Sequence, residues 1–91
     1  MKTVWKFPIS LSDDFEIVMP VGSKILSVQM QGDTPMLWAL CNDEFAIQPR
    51  RFGLYGTGHQ IRGWNERFMF HGTFQTQMYG ESLVFHLFEK M

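Results

Sequence analysis

"KILSVQMQGDTPMLWALC", residues 24–41, decides the fold. In its first half Leu26, Val28 and Met30 fall on one side and Ser27, Gln29 and Gln31 on the other. A period of two marks a half-buried strand, because successive strand side chains point to opposite faces. "GDTP" then offers the residues of a short hairpin connection. "MLWALC" (Met36–Cys41) is apolar at every position, so the strand it forms has two faces to cover.

The same grammar extends in both directions. Upstream, "TVWKFPI" (Thr3–Ile9) alternates around Trp5 and Phe7, and Pro8 ends it or marks an edge. "LSDD" reads as a turn, "FEIVMP" (Phe15–Pro20) as a strand and "VGSK" as a turn. Downstream, "FAIQPRRFGLYG" (Phe45–Gly56) sets Phe52 and Leu54 against Arg51 and Tyr55, with an interruption at Pro49. "ERFMFHGTFQTQ" (66–77) places Phe68, Phe70 and Phe74 opposite Met69, His71 and Thr73. After the turn "MYGE", "SLVFHLFEK" (82–90) sets Leu83, Phe85 and Leu87 against Val84, His86 and Phe88. No window holds a helical stripe over three turns. The expectation is an all-β chain, a single antiparallel sandwich or barrel of about seven strands spanning residues 1–91.

The fourth and last strands are apolar on both faces. A single core covers only one, so the second face needs another layer or another subunit. A homo-oligomer is expected on that ground.

Composition narrows the class. The 91 residues are 45% hydrophobic with nine Phe, three Trp and two Tyr, which supports a folded core without metal or disulfide staples. A formal charge of −1 argues against nucleic-acid binding, since that needs many phosphate-neutralising cations. Cys41 is the only cysteine and reads as a small buried hydrophobe in a reducing compartment. No run of about 18 apolar residues occurs, so the reading is a cytoplasmic protein without a membrane segment.

The candidate chemistry lies in "RRFGLYGTGHQIRG" (50–63). Gly56 and Gly58 let backbone approach a ligand, and consecutive N–H groups in such a turn can cradle an anion. Thr57 adds a hydroxyl and His59 a titratable donor. Arg50, Arg51 and Arg62 bracket the turn, and guanidinium forks suit phosphate or carboxylate. Tyr55 and Trp64 are aromatics that could stack a ring. The stretch lacks P-loop spacing and a following helix, and it sits in no βαβ unit. A strand end followed by an ordinary turn is the competing reading. The histidines His59, His71 and His86 are read as hydrogen-bonding or interface residues, not metal ligands. Asp13, Asp14, Asp43 and Glu44 fall in turns, and no serine has a nucleophile context. No enzyme activity and no cofactor are expected.

"WKFP", "KILSVQMQ", "LWAL", "YGTGH", "GTFQ" and "LVFHLFE", in that order, resemble a family of small uncharacterised proteins encoded by phages and prophages. Gln60 stands where the family's glycine motif carries proline. The resemblance implies a phage accessory protein in the host cytoplasm. The leading expectation is a non-catalytic protein that sequesters an anionic small ligand, such as a nucleotide signal of host defence. The alternative is a protein-interaction module that inhibits a host protein or serves phage assembly.

Overall fold

In the computed structural model, which describes residues 1–91, the 24–41 segment is a β-hairpin. Its strands are β3 (Lys24–Gln31) and β4 (Thr34–Asn42), joined through Gly32, whose φ is 61°. Only a residue without Cβ reaches that conformation cheaply. With β1 (Lys2–Pro8) they form an antiparallel sheet in the order β1-β4-β3. A second sheet has the order β2-β5-β7-β6, built from β2 (Phe15–Pro20), β5 (Ile47–Gly56), β6 (Met69–Met78) and β7 (Glu81–Glu89). The two sheets form the expected all-β sandwich of seven strands.

The two strands that are apolar on both faces, β4 and β7, each lie between two neighbours in their sheets. β4 alternates without a break: Leu37, Ala39 and Cys41 are fully buried, while Met36, Trp38 and Leu40 are half-buried outside. Opposite them the second sheet contributes Ile17, Met19, Phe52, Leu54, Phe74 and Leu87 to one core. Cys41 Sγ accepts a hydrogen bond from the Ser23 hydroxyl at 3.3 Å inside this core. β1 is an edge strand and ends on Pro8, where a missing N–H costs no ladder bond. Pro49 lies in the half of β5 that pairs with β2 alone, because β7 joins only at Phe52.

Two expectations fail locally. In β3 a bulge between Ile25 and Ser27 sets Ile25, not Leu26, against the core with Val28 and Met30 and leaves Leu26 49% exposed. The sixth strand begins at Met69, and a bulge between Phe70 and Gly72 shifts its register. An extra residue turns the side chains that follow it to the other face. Phe70 therefore packs outside against Phe88, at 5.5 Å between ring centroids, while Phe74 packs inside against Phe85 at 5.8 Å. Past the bulge Thr73 stands opposite His86. Gly72 lets β6 close against β3, since a Cβ there would stand 3.0 Å from Val28 Cβ. The β6–β7 turn, Tyr79-Gly80, has φ of 51° and 77°, the pair of positive values that a type I′ hairpin demands.

Gly53 is the tightest glycine. A Cβ there would meet the Tyr55 hydroxyl at 2.7 Å and the Asp13 carbonyl at 2.8 Å. Tyr55 lies back over this position and donates to that carbonyl at 3.3 Å. Gly53→Ala should force strand and loop apart and cost about 1–3 kcal/mol, as overpacking does. Thermal unfolding of the variant checks this.

Candidate functional site

β5 carries most of the candidate residues, and its alternation sends them to different places. Arg50, Phe52 and Leu54 face inward, whereas Arg51, Gly53 and Tyr55 face outward. Arg50 donates two hydrogen bonds to the Glu89 carboxylate, at 2.6 and 2.7 Å, and one to the Ser23 carbonyl at 2.6 Å. Its guanidinium is thus committed between the sheets. Arg51 is exposed and pairs with Asp14 at 3.1 Å. Hydrogen bonding from Arg51 and the charge of Lys90 hold the Asp14 carboxyl below its ordinary range. The two arginines lie on opposite faces, five to six residues or roughly 17–20 Å along the strand from Gly56. They do not converge on the glycine turn.

The turn itself is well fastened. The Thr57 amide donates to the Val84 carbonyl at 3.2 Å, and the His59 amide to the Gly56 carbonyl at 3.1 Å. Two of its three successive amides are therefore engaged within the fold and do not form an open anion cradle. Gly58 has φ of 86°, as a tight turn requires. Gly56 is glycine for another reason: a Cβ there would lie 2.9 Å from the His59 ring. The Thr57 hydroxyl meets His86 Nε2 at 2.7 Å, and Thr73 meets His86 Nδ1 at 2.9 Å. Gly56, Thr57 and His59 do line a hollow of about 300 Å³ with Ser82, Val84 and Phe85 of β7. No arginine reaches it.

The three histidines are separated by these contacts. His59 covers Gly56, His86 bridges two threonines, and His71 turns inward to Glu89 at 2.8 Å. Arg50, Glu89 and His71 form a largely buried hydrogen-bonded triad, built on the Arg50–Glu89 ion pair, whose side chains are 18%, 6% and 11% exposed. Burial pushes the Glu89 carboxyl up. The hydrogen bonds and charges of Arg50 and His71 outweigh burial and bring it down to about 2. Nothing in the sequence singled out Glu89 as a partner. A late glutamate on the inward side of a strand, in register with a core phenylalanine, was the available signal.

The outer face of the second sheet holds what the strand pattern of β7 left open. The 57–68 segment folds back so that Trp64 meets Phe68 at 5.3 Å and Phe88 at 5.7 Å, both edge-on. Tyr55 and Phe70 complete the ring around Phe88 at 6.1 and 5.5 Å. The second apolar face of β7 is thus partly covered by the chain's own loop. The cover is itself apolar: Trp64 and Phe70 are 53% and 55% exposed, while Met69, on the opposite side of β6 from Phe70, is 48% exposed at the sheet's edge. They line adjoining hollows with Asn65, Glu66 and Arg67, and Arg62 stands exposed on a turn two residues before Trp64. Tyr55 is buried beneath this surface and Trp64 stands on it.

No helix is long and apolar enough to cross a membrane. No curated protein and no solved structure matches the chain. Along residues 1–91 the sequence matches DUF7352, a domain of unknown function, and the chain belongs to that family.

Proposed function

We propose that the chain is a non-catalytic binding protein that acts through the aromatic surface around Trp64. One observation carries this reading: Trp64 and Phe70 stay about half exposed although both pack on Phe88 at the outer face of the second sheet. Contiguous exposed apolar side chains mark interaction sites. A central tryptophan framed by arginines is the composition of an interface hot spot. The partner is a protein, either a host protein or a second copy of this chain. The sequence resemblance to phage proteins supports an accessory role in the host cytoplasm, with inhibition of a host protein or service in assembly as its form.

Sequestration of an anionic small ligand, such as a nucleotide signal, is the second reading. The hollow beside Gly56, Thr57 and His59 favours it, and the commitment of Arg50 and Arg51 elsewhere ranks it lower. Affinity capture with the wild type and with Trp64→Ala separates the two. Trp64→Ala should weaken capture of a protein partner roughly 30-fold or more, the effect of losing a hot spot worth about 2 kcal/mol. Its melting temperature should change little, because the side chain is half exposed. Undiminished capture by a folded Trp64→Ala would refute the surface, and loss on Thr57→Ala and His59→Ala would favour the ligand.

A further inference from the structure

On the outer face of the first sheet, Leu40 and Asn42 stand two residues apart on β4. Lys24 of β3 is registered with Leu40 and Lys2 of β1 with Asn42, so two ammonium groups flank the central strand on one face. Beside them the Val21-Gly22 corner and Phe45 close off a hollow of about 280 Å³, with buried Cys41 beneath. Val21 and Phe45 are 43% and 53% exposed, so they stand on this hollow without joining the core. Neither lysine takes part in an ion pair. The neighbouring carboxylates, Asp43 and Glu44, are drawn instead to the Met1 amino group at 3.0 and 3.6 Å.

Apolar walls with two free cations at the mouth call for an anionic head on an apolar body. The hollow is at or below the small end of small-molecule sites, roughly 300–1,000 Å³, so that body is one short chain or ring. A nucleobase fits poorly, because its polar edge needs hydrogen-bond partners. The Asn42 side-chain oxygen, Oδ1, already accepts from the Glu44 amide at 3.0 Å. A second copy of the chain fits poorly as well, since a two-fold contact would set lysines against lysines. We infer that this hollow binds small amphipathic carboxylates of the fatty-acid class. The apolar body lies against Val21, Leu40 and Phe45, and the carboxylate sits between Lys2 and Lys24. This site is on the opposite sheet from the aromatic surface and does not depend on it.

Titrating octanoate into the full chain and following backbone amides by NMR tests the inference. Saturable shifts are expected at Gly22, Leu40 and Phe45, with a dissociation constant of about 1 mM or tighter. Octanol keeps the body and lacks the charge. Lys2→Ala with Lys24→Ala should therefore weaken octanoate about tenfold and leave octanol unchanged. The octanol arm also shows that the hollow survives in the variant. Lys6→Ala is the control: its ammonium shares the face but donates to Gln31 at 2.7 Å, and it should change nothing. An absence of saturable shifts would overturn the site, as would equal octanoate affinity in the double variant or shifts centred on Trp64 and Phe70.

Discussion

Glu89→Ala should lower stability by about 3–5 kcal/mol, the cost of leaving one member of a buried ion pair alone. Arg50 would then hold a charge between the sheets with only the Ser23 carbonyl as partner. For a chain of this length, each kcal/mol shifts the melting temperature by about 4–8 °C. A fall of at least roughly 12 °C is expected, and calorimetry of the variant checks it. Arg50→Met combined with Glu89→Met should recover most of the loss, because an apolar pair of similar volume needs no charge compensation. The same group fixes the acid limit. Its carboxyl is depressed from 4.5 to about 2, so its contribution is fully present above pH 4.5 and disappears as pH falls through about 2. A loss on the order of 2–3 kcal/mol should therefore appear across that window. Glu89→Gln should flatten it.

Phe52→Ala should cost a similar amount, about 3–5 kcal/mol, as removal of a fully buried aromatic ring does. Phe52 is 0% exposed and stacks on Phe15 with centroids 5.8 Å apart. Its ring also lies 6.1 Å from that of His71, which makes it part of the apolar wall of the triad. The cavity left behind would open the ionic group to water as well as loosen the core. Urea unfolding of the variant measures the loss. A loss below about 1 kcal/mol would contradict the packing described.

Strand order along the chain was legible because alternation and turn residues agreed from "TVWKFPI" to "SLVFHLFEK". That β4 and β7 are apolar on both faces was legible as well. What covers the outer face of β7 was not legible. The segment around Trp64 has no periodicity, and only the folded chain shows it lying over Phe88. The bulge after Phe70 was hidden for a related reason. "FMFHGTF" alternates whether or not a residue is skipped, and a one-residue shift exchanges every later face. The arginines misled in a simpler way. Arg50 and Arg51 are adjacent in sequence, and a strand places adjacent side chains on opposite faces. One consequently became structural and the other a surface ion pair.

The central claim is that contacts are made at the aromatic surface while the triad only ties β5, β6 and β7 to one another. A photo-crosslinking phenylalanine analogue placed at position 70, on that surface, and separately at position 29, outside the other sheet, tests it in expressing cells. A discrete protein adduct from position 70, absent from position 29 and lost on adding Trp64→Ala, is the result predicted. Adducts from position 29 alone, or adducts at position 70 that persist when Trp64 is removed, would contradict it.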